Sequence, residues 1–322
     1  MPELTNDIIG GLLPTQNPVG SLPEGVTQDV FSIQSEGLTD IEMRIFRWLT
    51  ALQARTESER WDRRIPGFQF ATYGFVPVSE QIHLPRGVKA SGGYVFGVAL
   101  EMEAAGEVPF QEVESFNQNG VAIARILNWR SAELDIANPV SPWAGTGACW
   151  AHSNNPAIMP AADGVLTAGH VVAGLSLRSP VRMSDSRIWH LGDRGSCKID
   201  AALIVRAKCI PRTAARLLVQ KNPLPFKRVT FHGAASGRAI TARITHAQVH
   251  PTYLDASHPM RVFFDKHGIQ GDSGALVQET ATRLGVGVYM GRYPIPSSAG
   301  AYQGGAQALS QAQDELQLNL FI

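Results

Sequence analysis

The apolar positions of this chain change period twice. Ile41, Ile45, Trp48, Leu49 and Leu52 recur at helical spacing, and Thr39 with Glu42 has the spacing of a capping box, so the pattern predicts a helix starting there. Its polar end, residues 55–60, lies beyond the stripe. Residues 68–73 and 94–100 then read as strands, with Gly- and Pro-containing turns between them. Residues 121–134 place Ile123, Ile126, Leu127 and Arg130 at helical spacing and predict a second helix. Ahead of these elements, residues 1–36 are rich in Pro, Gly, Gln and Ser and read as a loosely structured arm.

From about Pro142 the period becomes that of short strands with turn signals between them. The strand candidates are 164–167, 201–205, 228–231, 240–245, 260–264, 274–277 and 285–289, a spacing that predicts an all-β sandwich or a pair of barrels. Asn222-Pro-Leu-Pro225 lies midway and suits a linker between two β units. Residues 306–318, rich in Ala, Gln and Leu, predict a terminal helix. The chain thus divides into an arm (1–36), an α+β region (37–140) without a defensible chemical motif, and a β region (141–322).

Composition narrows the function classes. A length of 322 residues allows one large core or two smaller ones, and 44% hydrophobic with 17% charged residues is ordinary for a globular protein. Lys plus Arg equals Asp plus Glu at 28 each, so no electrostatic footprint for nucleic acid or a membrane surface is expected. The longest apolar runs fall short of the roughly 18 to 20 residues that span a bilayer. The N-terminus is acidic and interrupted by Gly10, Gly11 and Pro14, so no secretory signal is expected and the localisation implied is cytoplasmic. Three cysteines cannot all pair; a Cys197–Cys209 bridge is open, and reduced buried thiols at these positions and Cys149 are the expectation.

Three segments carry chemistry. Gly271-Asp-Ser-Gly274 presents Ser273 in a glycine-rich turn, yet a serine hydroxyl is a weak nucleophile without a base and an oxyanion site. Val165-Leu-Thr-Ala-Gly-His170 delivers an imidazole after an apolar strand, with Ala168 and Gly169 small enough for backbone to pack beside it. Asp200, just ahead of the apolar run Ala201-Ala-Leu-Ile-Val205, supplies a buried carboxylate that can fix the tautomer of a neighbouring histidine. Gly271 and Ser273 can turn their N–H groups to one point. Asp185 and Asp193 are the rival acids, but neither leads directly into an apolar strand.

In the order His170, Asp200, Ser273, these segments resemble the chymotrypsin/trypsin-like serine proteases. Gly145-Thr-Gly-Ala-Cys-Trp150 resembles the strand before that family's histidine. Gly285-Val-Gly-Val-Tyr-Met-Gly291 resembles the strand lining its specificity pocket, and Gly300-Ala-Tyr302 its C-terminal end. The resemblance covers residues 141–322 and implies a mainly β protein, two six-stranded antiparallel barrels with a triad in their cleft, preceded by a small α+β region. It implies His170 as general base, Asp200 as its orienter, Ser273 as nucleophile, Gly271 and Ser273 as oxyanion donors, and a pocket near His267, Gln270, Tyr289, Met290, Gly291 and Gly300. No cofactor or metal is implied. The resemblance implies a protein substrate, and the apolar helix stripe and strands of residues 1–140, which can fold and pack against the barrels or a partner, suggest a regulatory protein partner acting through them.

The departures matter as much. His267 stands where basic-specific members carry an aspartate, so cleavage after Lys or Arg is not implied, although Asp265 is near. A neutral residue before the cut is the first expectation and an acidic one the second. Ile8-Ile-Gly-Gly11 mimics a zymogen activation N-terminus but lies far before His170, and residues 129–138 hold no such motif; Asp272 is therefore expected to be satisfied internally. His246, His250 and His258 read as turn or surface residues, and Trp48, Trp61, Trp129 and Trp143 as packing residues. An inactive scaffold on a protease fold and an esterase using the same triad are the alternatives to a bacterial endopeptidase.

Overall fold

The computed structural model describes residues 4–13, 38–64, 68–77, 90–102, 111–115, 122–126, 133–134, 145–158, 163–196, 198–248, 259–295 and 301–322. Two β units carry the candidate site. In the first, six antiparallel strands pair in the order Leu318–Phe321, Trp150–Ser153, Asp163–Thr167, Ala202–Val205, Ile188–Arg194 and Pro180–Arg182. In the second, Arg228–His232, Leu276–Glu279, Gly285–Pro294, Tyr302–Ala308, Arg261–Phe264 and Ala239–Ala247 pair in that order. Arg228–His232 also pairs with Ala239–Ala247, which closes a six-stranded antiparallel barrel. The protein is mainly β, as the strand spacing predicts; six of the seven strand candidates of the β region are strands along most of their length, and the seventh, 274–277, becomes strand only at Leu276.

The N-terminal region is built onto the second unit. Strand Arg228–His232 covers Ala239–Ala247 only from Ala239 to Arg243, leaving the end of that strand open on the same side. Strand Phe68–Pro77 takes this end, with Tyr73 opposite Ala247 and Gly74 opposite His246. Tyr94–Met102 pairs with it, followed by Ala122–Ile126 and Gln111–Ser115, so one sheet runs from the barrel into the N-terminal region.

Helix Asp40–Ser58 lies over this extension. The reciprocal cap forms, Glu42 N–H donating to Thr39 Oγ1 at 3.4 Å and Thr39 N–H to Glu42 Oε2 at 2.7 Å. The stripe Ile45, Trp48, Leu49 and Leu52 is buried against Tyr73, Phe75, Phe96 and Val98, and Leu224 of the proline-rich linker belongs to the same core. Each such aliphatic side chain removed from water contributes about 1.5–3 kcal/mol.

Four expectations are corrected. His246, expected at a turn or on the surface, is buried in strand Ala239–Ala247. Residues 4–13 are not loose: Asn6–Leu12 is a helix capped by Thr5, and Ile9 and Leu12 are buried. Ile8-Ile-Gly-Gly11 lies in that helix. Residues 121–134 hold no described helix but the strands Ala122–Ile126 and Glu133–Leu134. Segment Ala122–Ile126 is recruited by the open edge of Tyr94–Met102, with which it pairs in parallel. The predicted terminal helix is split into strand Tyr302–Ala308, helix Leu309–Glu315 and strand Leu318–Phe321, because its two ends are needed to complete the two sheets.

Candidate active site

The candidate acid Asp200 and candidate base His170 are placed by adjacent elements of the first unit. Asp163–Thr167 ends at Ala168, and Gly169–Val172 forms a single turn of 3-10 helix carrying His170. The neighbouring strand Ala202–Val205 pairs with Asp163–Thr167, Ala202 facing Thr167, so Asp200 arrives beside that turn. Its carboxylate takes both donors of His170: the Nδ1–H at 2.7 Å and the backbone N–H at 2.8 Å. A Cβ on Gly169 would stand 3.1 Å from Asp200 Oδ1 and 3.1 Å from Ala201 N, so the small residue before the histidine permits this approach.

His170 and Asp200 side chains are only 8% and 13% exposed, so the pair sits largely out of water. Burial alone raises the Asp200 pKa. The His170 hydrogen bond, its charge, nearby Arg261 and the His170 N–H outweigh that, and the carboxyl is held below its usual range. An ionised Asp200 keeps the proton on Nδ1 and leaves His170 Nε2 as the acceptor. Nε2 is buried and without a hydrogen-bond partner in the described structure.

Ser273 lies on the second unit in the turn before Leu276–Glu279. Gly271 and Gly274 have φ of 96° and 97°, and a Cβ on Gly274 would approach Thr146 O to 2.0 Å. Thr146 joins the two halves. Its carbonyl accepts from Thr167 Oγ1 at 2.8 Å, its N–H donates to Ser273 O at 2.6 Å, and its hydroxyl donates to Gly271 O at 2.9 Å. Among the described residues the N–H groups of Gly271 and Ser273 donate to no acceptor, as an oxyanion site requires. Ser273 is fully buried, and its hydroxyl donates to Met290 O at 2.5 Å. Among the described residues no hydrogen bond joins Ser273 Oγ to His170 Nε2.

Asp272 is also fully buried, and its carboxylate accepts from Ser236 N at 2.9 Å and Ile269 N at 3.0 Å. It is satisfied within the second unit. The rival acids are occupied elsewhere: Asp185 by Trp189, Arg187 and Arg206, and Asp193 by Asn155 and the Arg194 N–H.

The pocket residues separate. His267 donates from Nδ1 to Gly268 O at 2.7 Å and meets Tyr302 edge-on, with ring centroids 5.8 Å apart. Arg292 lies 4.9 Å from the centre of the same Tyr302 ring. Asp265 accepts from the Arg243 N–H, Gln270 is exposed, and Met290 and Gly291 are buried on strand Gly285–Pro294. Tyr289 is a core residue, stacked on Phe231 with centroids 4.6 Å apart, and its hydroxyl accepts from Gly268 N. Gly300 and Cys197 lie outside the described residues, as do His250, His258, Trp129 and Trp143. Cys149 and Cys209 are free thiols whose pKa values burial raises to about 12 and about 11.

Sequence reasoning missed the support behind Asp200. Gln307 Oε1 accepts from the Asp200 N–H at 3.2 Å and from Arg261, while Arg261 Nη2 donates to Lys198 O at 2.8 Å. Gln307 Nε2 in turn donates to Gln311 Oε1 at 2.8 Å. The available signal was polar residues at inward positions of strands Arg261–Phe264 and Tyr302–Ala308, where apolar ones are expected.

No protein-family model and no curated protein matches this sequence. Among solved structures, the Nocardiopsis protease NAPase is 14% identical and is matched over 54% of this chain and 90% of its own, with a TM-score of 0.41. The Cellulomonas bogoriensis chymotrypsin is 13% identical over 54% of this chain and 96% of its own, with a TM-score of 0.37. The HtrA-type protease AlgW, solved with a tripeptide, is 17% identical over 52% of this chain and 58% of its own, also at 0.37. Over about half its length the chain is similar in fold to chymotrypsin-like bacterial serine proteases.

Proposed function

We propose that this protein is a serine endopeptidase acting through His170, Asp200 and Ser273 on protein substrates. The observation that carries the reading is the pairing of His170 with an ionised, buried Asp200, which leaves Nε2 as an unoccupied acceptor in the half of the molecule that Thr146 ties to Ser273. In the reaction Ser273 Oγ leaves Met290 O and attacks a peptide carbonyl while Nε2 takes its proton. The Gly271 and Ser273 N–H groups receive the developing oxyanion, and His170 returns the proton to the leaving amine. Water then releases the acyl group by the same steps in reverse. A cytoplasmic setting and control through residues 1–140 belong to the same proposal, the control being motivated by the sheet that joins this region to the barrel of Ser273.

A fluorophosphonate probe tests the reading. The wild type should be labelled at Ser273 and should hydrolyse peptide substrates, whereas Ser273→Ala should lose labelling and retain its fold. A folded wild type that takes no label would overturn the reading. Hydrolysis of small esters without any cleavage of peptides would replace it with an esterase.

A further inference from the structure

Where the N-terminal region joins the barrel of Ser273, the structure leaves a cavity of about 60 Å³. Helix Asp40–Ser58 is followed by Arg60, whose φ of 52° turns the chain, and Arg60 pairs with Asp62 at 2.8 Å. The short helix Trp61–Arg64 follows that turn, and Trp61 enters the same buried core as Tyr73. The register of strand Phe68–Pro77 shifts between Phe68 and Phe70, an irregularity that re-aims side chains. Trp61, Phe68, Phe70 and Tyr73 line the cavity from the N-terminal region. The barrel supplies another part of the lining: Ala247 faces Tyr73, and Gln248, the next residue, borders the cavity.

The polar groups around this cavity leave acceptors over. Thr56 Oγ1 donates to Gln53 O at 2.8 Å, so the proton it shares with Tyr73 at 2.6 Å comes from the Tyr73 hydroxyl. Gln53 Nε2 donates to Glu57 Oε1 at 3.0 Å, and Trp61 Nε1 donates to Glu59 Oε2 at 3.0 Å. These donors are engaged. Gln248 Oε1, by contrast, is buried without a hydrogen-bond partner. Among the described residues no Lys or Arg pairs with Glu57, whereas Asp62 has Arg60. A buried acceptor without a donor is destabilising, and the missing donor here is one that also carries positive charge.

We propose that this cavity binds a small organic ammonium ion and that filling it fastens the N-terminal region to the barrel. Size sets the class of ligand. At roughly 10–15 Å³ per water, the cavity holds about four waters, or an ammonium group on a short alkyl chain. The aromatic lining attracts a cation and shelters its alkyl part, Glu57 supplies the counter-charge, and Gln248 Oε1 accepts an N–H. A free alkylamine and a lysine side chain of a peptide carry this same group. Because the lining comes from both sides of the joint, the ligand binds the seated arrangement more tightly than a separated one and stabilises it. Its use in control rests on the serine-protease reading above; the site itself does not.

Titration calorimetry on the full-length chain tests this with n-butylammonium chloride, against n-butanol and potassium chloride as controls. A lysine-containing tripeptide and its norleucine analogue separate a peptide source from a free amine. The ammonium is expected to bind saturably and the two controls are not. Glu57→Gln, which removes the counter-charge, and Gln248→Leu, which removes the acceptor, should each weaken binding about tenfold or more. Asp314→Asn, at an exposed carboxylate of helix Leu309–Glu315, should leave it unchanged. With the site filled, hydrogen exchange should slow in helix Asp40–Ser58 and in strand Ala239–Ala247, and the rate of fluorophosphonate labelling should change. No saturable binding of amine or lysine peptide, equal binding of n-butanol, or full binding by both variants overturns the site. A labelled wild type that binds the ammonium with exchange and labelling rate unaltered overturns the fastening and leaves the protease reading standing. An unlabelled wild type that binds it overturns the protease reading and not the site.

Discussion

His170 and Asp200 come from adjacent strands of one unit, joined by a strand pair and two short hydrogen bonds. Ser273 sits in a barrel that shares its sheet with the N-terminal region. Among the described residues, every strand pairing that the N-terminal region makes outside itself goes to this second unit, through Phe68–Pro77 and through Glu133–Leu134. Side chains reinforce the joint. Lys227 lies between Glu42 and Glu279, Thr72 Oγ1 donates to His246 Nδ1 at 2.8 Å, and Arg243 reaches Leu4 O. The comparison teaches that the two halves of the site answer to different parts of the chain. The candidate base His170 is held by Asp200 within its own unit, while the barrel that carries Ser273 is coupled to residues far upstream. A ligand or partner acting on the N-terminal region can bias the serine half only by binding one arrangement more tightly than another.

Four experiments press on this contrast. The largest effect belongs to the local half. Asp200→Asn should lower turnover roughly ten-thousand-fold, the loss known for the same change in trypsin-like triads, because the amide favours the wrong tautomer. Folding should be preserved, and single-turnover hydrolysis of an activated ester measures the loss. A harmless Asp200→Asn would mean that His170 is oriented by another group.

The coupled half should respond in stability. Lys227→Met leaves the buried Glu42 and Glu279 without their shared cation, and unfolding by urea should show a loss of about 3 kcal/mol. Hydrogen exchange should localise the loss to helix Asp40–Ser58 as well as to the barrel. Exchange that accelerates in the helix alone would mean that the two regions are not energetically joined there.

A pH titration tests the same seam. His246 is fully buried between Thr72, Gln303 and Phe263, and burial lowers its pKa from 6.5 to about 4. Between those values the unfolded chain binds a proton that the folded chain does not. Stability is therefore greatest above about pH 6.5 and falls by on the order of 3 kcal/mol as the pH drops to about 4. Urea midpoints measured across that window should show the slope in the wild type, and His246→Gln should remove most of it. An equal slope in the variant would assign the effect to other groups.

The smallest effect sharpens the choice of acid. Asp193 bonds Asn155 and its own neighbour's N–H, away from His170, so Asp193→Asn should change stability by no more than about 0.5 kcal/mol and leave turnover unchanged. A large loss of turnover would transfer the acid's role from Asp200.

The sequence by itself determined what depends on neighbours along the chain. The strand that ends at His170, the acid ahead of Ala202–Val205 and the glycine turn around Ser273 are each set by local periodicity and small residues, and the structure brings the first two into contact. The capped helix with Ile45, Trp48, Leu49 and Leu52 was legible for the same reason. Tertiary structure alone decided the rest. Residues 122–126 have a helical apolar spacing but form a strand, because the open edge of Tyr94–Met102 offers hydrogen bonds that a period cannot report. The barrel's extension through Phe68–Pro77, the Gln307 and Arg261 support of Asp200, and the seat of Glu133–Leu134 beside Met290 all join residues remote in sequence. Which edge remains open, and which segment fills it, is settled only when the whole sheet is assembled, since each pairing depends on the strands already in place.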